Sequence, residues 1–182
     1  MFDIVLFGKP GSKTQAELLR DAFSSQISHL STGDIFRALT SRSNAIGDYV
    51  TDRMNAYLID DAVTISLFNA YFYTVLDSKK AMLLDGYPRT MQQMEAFLIL
   101  CEEKGRTVIG INFDLDDETT VQRMLSRARE GEDESMMRVR LDQYYQHTHP
   151  LVERFQQSFP LYTIDASASI EDIHQEVKTI IG

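Results

Sequence analysis

Cysteine, proline, long apolar runs and excess positive charge are all scarce in this chain. The single cysteine, Cys101, excludes an internal disulfide and a four-cysteine zinc site, so nothing points to an oxidising compartment. It sits in the apolar pattern AFLILC of a helix and is expected in the core. Four prolines are too few to mark a linker, and there are no internal repeats or low-complexity tracts. No segment approaches the length of a transmembrane helix. The start, Met1-Phe2-Asp3, lacks a basic stretch, and the apolar run after it is too short for a signal peptide, so a cytoplasmic location is expected. Eighteen Lys and Arg face 27 Asp and Glu, a net charge of -9. Nucleic acid and anionic membrane surfaces both demand a basic footprint, so neither is an expected partner.

What is present fits one soluble domain. A chain of 182 residues can bury about two thirds of its unfolded surface. Hydrophobic content of 43% and charged content of 25% are ordinary for a globular protein. Short apolar runs at 2–7, 27–30, 81–84, 107–113 and 160–164 alternate with helical patterns. That alternation predicts an α/β fold with a five-stranded parallel sheet and helices on both faces. From Gly33 to Leu76 no comparable run occurs, which predicts several helices folded over the sheet edge. Residues 129–134, REGEDE, form the one concentrated charge run, a solvated turn or a lid.

Three segments carry chemistry. Residues 85–93, DGYPRTMQQ, follow the run Ala81-Met82-Leu83-Leu84 and bring an aspartate, a glycine turn and an arginine to the carboxyl edge of the sheet, where open α/β sheets bind ligands. Arg89 offers a planar fork of donors suited to phosphate oxygens. Gln93, one turn along a helix starting at Thr90, can both donate to and accept from a base edge. Residues 31–37, STGDIFR, give Ser31 or Thr32 as a helix cap and Asp34 in the first turn. Capping does not account for Arg37. The amino-terminal FDIVLFGKPGSKTQ runs from strand to Gly-rich turn to lysine, threonine and helix, the order a phosphate-cradling loop requires.

Together these segments resemble the adenylate kinase family of nucleoside monophosphate kinases. Residues 31–37 match its STGDxxR motif, residues 85–93 its DGFPRTxxQ motif with Tyr87 in the aromatic slot, and residues 140–151 its RLxxYxxxTxPL helix. The resemblance implies a P-loop kinase fold with strand order 2-3-1-4-5, a helical AMP-binding subdomain at about 31–60 and a short lid at about 127–134. It also implies reversible phosphoryl transfer, MgATP plus AMP giving two ADP, by a monomer with Mg²⁺ as cofactor. On the AMP side it assigns Thr32, Arg37, Gly86, Arg89 and Gln93, with backbone at Tyr57, Leu58 and Ile59 lining the base pocket. On the ATP side it assigns Gly8, Pro10, Gly11, Ser12, Lys13, Thr14, Arg123, Arg127 and Ala168. Arg123 lies four residues before Arg127 and is expected on the same helix face. Lys13, Arg89, Arg127, Arg129 and Arg140 would carry catalysis, and Asp85 would hold Mg²⁺ through water.

The ATP side departs from the family pattern. The family's phosphate loop reads GxPGxGKGTQ; this chain has GKPGSKTQ, lacking one glycine before Lys13 and one after it. The general pattern G-x-x-x-x-G-K holds one more residue than the Lys9, Pro10, Gly11 and Ser12 found here. In the lid, Arg127 and Arg129 are separated by Ala128 alone, with Gly131 and Glu132 where aspartates are usual, and Ala168 replaces a glycine near the ATP base. The AMP side is almost intact. Two alternatives to an active adenylate kinase therefore stand: a catalytically weak or inactive paralogue that binds AMP as a sensor or regulatory module, and a kinase for another monophosphate.

Overall fold

The computed structural model describes residues 2–9, 13–41, 43–54, 59–126, 128 and 133–182, and of Lys13 and Thr14 the backbone alone. Five parallel strands, β1 (Asp3–Gly8), β2 (Ile27–Ser31), β3 (Ala81–Asp85), β4 (Val108–Asp114) and β5 (Leu161–Asp165), form one sheet in the order β2-β3-β1-β4-β5. Each of the five apolar runs becomes a strand, within one residue at either end. All pairs are parallel, so Ser31 and Asp85 are register partners, as are Gly8 and Phe113, and the carboxyl ends share one edge.

Both faces of the sheet are covered because side chains alternate along a strand. Val5 and Phe7 of β1 enter one core with Met82, Leu84, Tyr87, Phe97, Cys101 and Phe155. Ile4 and Leu6 enter the other with Leu19, Leu83, Ile111, Ile164 and Val177. The first core packs under α4 (Asp61–Ala70), α5 (Met91–Glu103) and α8 (His149–Gln156), the second under α1 (Lys13–Ala22) and α9 (Ile170–Ile181). Cys101 is 1% exposed, and burial pushes its thiol up to about 12.

Two smaller cores lie outside this sandwich. Phe36, Val50 and Ile59 pack together between α2 (Thr32–Thr40), α3 (Ala45–Met54) and the start of α4. Val121 and Met124 of α6 (Asp117–Leu125) pack on Met137 and Leu141 of α7 (Glu134–Gln143). No strand occurs among the described residues from Gly33 to Leu76.

The helices start where the sequence offers caps. Ser31, Thr90, Asp116, Asp133 and Ser169 each accept the backbone N–H three residues on. Thr90 is thus the cap of α5 rather than its first turn. Two π-turns, Tyr71–Val75 and Tyr144–Thr148, extend α4 and α7; in each a backbone N–H reaches back five residues, Leu76 to Tyr71 and His149 to Tyr144. At the edge away from the strands' carboxyl ends, Asp3 is 2% exposed and accepts from Met82 N at 2.7 Å and from Arg106 through Nε at 2.6 Å and Nη2 at 2.5 Å. That two-pronged bond raises the Arg106 pKa against the opposing effect of burial.

Candidate active site

The turn after β3 is built around Gly86 and Arg89. Gly86 has φ +80°, a left-handed conformation that side chains resist. A Cβ there would lie 2.7 Å from Arg89 Nη2 and 2.9 Å from Thr32 Oγ1. Thr32, 2% exposed, donates its hydroxyl to the Gly86 carbonyl at 2.8 Å, which locks the start of α2 to the turn. One residue earlier, Ser31 Oγ donates to Asp85 Oδ2 at 3.2 Å. Thr32, Gly86, Arg89, Gln93 and Asp85 are therefore brought together at the carboxyl ends of β2 and β3.

The Arg89 guanidinium makes no hydrogen bond or ion pair with the described residues. The Arg89 side chain is exposed, yet protein crowds its guanidinium closely enough to desolvate it. That desolvation lowers its pKa, Asp85 opposes the shift, and the like charge of Arg37 adds to it. Arg37 itself is paired with Asp34 one turn back, its Nη1 3.0 Å from where a Cβ at Gly33 would stand. Two cations converging on a site with one of them unpaired favour an anion between them.

Gln93 is 1% exposed and occupied at both ends. Its Oε1 accepts from Arg89 N at 2.8 Å and its Nε2 donates to Asp61 Oδ1 at 2.8 Å. The amide can lie only this way round, since a backbone N–H only donates and a carboxylate only accepts. Thr90 Oγ1 also donates to Asp61 Oδ1, at 2.7 Å. Asp61, the first residue of α4, was not singled out by sequence; the available signal was T-x-x-Q at 90–93, a capping-box pattern that places Gln93 at the helix start. The amide keeps one N–H and one lone pair beyond these bonds.

On the ATP side, Arg123 Nη1 donates to Ala166 O at 2.8 Å, and Gln15 Nε2 of α1 donates to Ile170 O at 3.0 Å. The segment bearing exposed Ala168 is thus held on one side by Arg123 at Ala166 and on the other by Gln15 at Ile170. Gly8, φ +151°, ends β1 in a region open chiefly to glycine. Arg140 Nη1 contacts Met137 Sδ at 3.7 Å on α7. Thr148 of the second π-turn donates to Arg89 O at 3.3 Å, joining that helix to the β3 turn. α6 ends at Leu125, and the expected sharing of a helix face by Arg123 and Arg127 falls on a residue outside the described ones. Pro10, Gly11, Ser12, Tyr57, Leu58, Arg127 and Arg129 lie outside the described residues, as do the side chains of Lys13 and Thr14. Ile59, 7% exposed, packs with Phe36 and Val50.

Among the described residues no group of three His, Cys, Asp or Glu side chains could hold a metal unaided. Asp85, half-buried and bonded to Ser31, offers one hard carboxylate. That donor set fits Mg²⁺ carried largely by phosphates and water, and does not fit an all-protein cage.

The sheet order, the glycine turn before Arg89 and the helix caps at the strand ends are those of the P-loop nucleoside monophosphate kinases. A family profile described as Adenylate kinase matches residues 6–159. Curated relatives named adenylate kinase include one from Corynebacterium urealyticum, 38% identical with 94% of both chains covered. Another, from Flavobacterium johnsoniae, is 35% identical over 100% of this chain and 98% of its own. A third, from a Synechococcus species, is 33% identical over 98% of both. The chain belongs to the adenylate kinase family.

Proposed function

We propose that this protein is an ATP:AMP phosphotransferase that forms two ADP from MgATP and AMP. The observation that carries the reading is the Arg89 guanidinium, packed beside Gly86 and Thr32, near the like charge of Arg37 and without a partner among the described residues, together with full-length likeness to proteins named adenylate kinase. Phosphoryl transfer asks a protein mainly for alignment and charge neutralisation in a dry site. Arg89 and Arg37 would grip the AMP phosphate, Arg37 exchanging Asp34 for it. Thr32 and the remaining N–H and lone pair of Gln93 would read the adenine edge, with backbone from Tyr57 to Ile59 beside it.

Gly8 through Thr14 would cradle the ATP phosphates. Arg123 and Ala168 would flank the ATP base, while Lys13, Arg127, Arg129 and Arg140 would surround the transferring group. Asp85 would hold Mg²⁺ through water; when bound, that ion neutralises phosphate charge. The small core of Phe36, Val50 and Ile59 supports an AMP-binding subdomain at about 31–60. The α6–α7 pair, with its own core, supports a short lid at about 127–134. No described helix is long and apolar enough to cross a membrane. We place the protein in the cytoplasm as a monomer, with nucleotides as its partners and neither nucleic acid nor membrane among them.

A coupled assay for ADP formation from MgATP and AMP tests the reading. Turnover that needs both nucleotides is expected. AMP binding by calorimetry without any ADP formation would replace the enzyme with an AMP-binding module.

A further inference from the structure

Lys9 directly follows Gly8, near the start of the Gly8–Thr14 segment expected to cradle phosphates. Its ammonium is committed to protein. Nζ donates to the Leu115 carbonyl and to Asp117 Oδ1 at 2.6 Å, and it lies 5.5 Å from the centroid of the Tyr145 ring, within cation–π range. Tyr145 closes the figure by donating its hydroxyl to the same Asp117 oxygen at 2.6 Å. Burial works against the Lys9 charge, but its interactions with Asp117 and Tyr145 outweigh it and raise its pKa; the hydrogen bonds that Asp117 accepts from Lys9 and Tyr145 depress that of Asp117.

This is more than a surface ion pair, which would contribute little. The Lys9 side chain is only 12% exposed, and the three residues come from three parts of the chain. Lys9 stands at the end of β1. Asp117 opens α6, which carries Arg123. Tyr145 lies in the π-turn that continues α7, which carries Arg140. One ammonium therefore ties the beginning of the phosphate loop to both helices that bear ATP-side arginines. The loop that follows lacks two glycines of the family pattern, and with them backbone donors that would otherwise seat an anion. A side-chain anchor near its start restricts where the remaining donors can lie.

We propose that Lys9, Asp117 and Tyr145 form a positioning triad that sets the phosphate loop against α6 and the π-turn and so governs MgATP binding. The proposal rests on the phosphotransferase reading. None of the three is a catalytic residue; they act through the loop. Lys9→Met removes both donated bonds, Tyr145→Phe removes one oxygen, and Lys9→Arg keeps the charge.

Initial rates of ADP formation, with MgATP and AMP varied in turn, separate positioning from general stability. Lys9→Met is expected to raise KM for MgATP about tenfold, the scale of one charge-assisted hydrogen bond, and to leave KM for AMP unchanged. Tyr145→Phe should move the same constant less. The Lys9→Met/Tyr145→Phe double variant should be no worse than Lys9→Met alone, since the pair acts together. Lys9→Arg should restore most of the loss.

An equal rise in both KM values, no change in either, or additive effects in the double variant would overturn the proposal. So would a collapse of kcat at unchanged KM, which would place Lys9 in the chemistry itself. If Lys9→Met does not fold, Tyr145→Phe decides alone on the same criterion. A natural chain that forms no ADP would sink the phosphotransferase reading, not this one. Calorimetry with MgATP then judges the triad: weaker binding in Tyr145→Phe supports it, and equal binding overturns it.

Discussion

Arg89 occupies the space that Gly86 leaves open: a single added carbon at residue 86 would stand 2.7 Å from the guanidinium and 2.9 Å from the Thr32 hydroxyl. The left-handed backbone at Gly86 costs an L side chain roughly 1–2 kcal/mol by itself. Gly86→Ala should therefore lower the melting temperature modestly and weaken AMP binding more, because Arg89 and Thr32 must both give way. Paired thermal melts and AMP titrations check the ranking; a full loss of stability with normal AMP affinity in the remaining folded protein would contradict it.

Arg89→Ala should weaken AMP binding by at least about 1.5–3 kcal/mol, the range for a hydrogen bond to a charged group. The guanidinium has no partner among the described residues, so its removal strands no protein group and the fold should hold. AMP affinity equal to that of the natural chain, measured by calorimetry, would remove the central argument for the site.

Asp61 fixes the Gln93 amide from behind, at 2.8 Å. Asp61→Ala should free that amide to rotate, lowering the preference for AMP over GMP, CMP and UMP more than it lowers AMP affinity itself. Competition among the four monophosphates reads this out, and an undiminished preference would assign Asp61 to helix capping alone.

The short phosphate loop can be tested by substitution and by restoration. Lys13→Met should abolish ADP formation if the loop still delivers the lysine to the phosphates. Restoring the two glycines, to give PGSGKGTQ, should change activity modestly in an enzyme adapted to its own loop. A gain of orders of magnitude would instead mark the natural loop as degenerate, since oriented donors and lysine act as a unit.

Far from the cleft, Arg106→Ala leaves Asp3 buried without its charged partner. Such a loss costs about 3–5 kcal/mol, so the denaturant midpoint should fall steeply while both KM values stay put. An altered KM for either nucleotide would show that the lower edge of the sheet communicates with the site.

The strands were legible in sequence because each is a short apolar run, and the three central ones are buried on both faces, although the edge strand β5 buries only Ile164. The glycine turn and Arg89 were legible because a local motif carries them. Asp61 was not: a lone acidic residue at a helix start looks like an ordinary dipole partner, and what distinguishes it is contact with Gln93, 32 positions away. The Lys9–Asp117 pair spans 108 positions and leaves no local pattern. The π-turns were equally hidden, since their residues could as well continue an α-helix, and only packing selects the wider turn.

The π-turn at 144–148 makes chain length, rather than residue identity, the constraint on this part of the molecule. A wider turn absorbs one residue beyond what α-helical winding needs, much as a leap day keeps a calendar in step. Tyr145 faces Asp117 and Thr148 faces Arg89 within that same turn. Deleting one residue here would let the helix wind normally and swing everything beyond it by about 100°. Leu151 and Phe155 would then leave the core of the sheet. Point changes at exposed Gln146 should pass almost unnoticed, whereas a one-residue deletion would put the AMP turn, the ATP-side helices and the central sheet out of phase together.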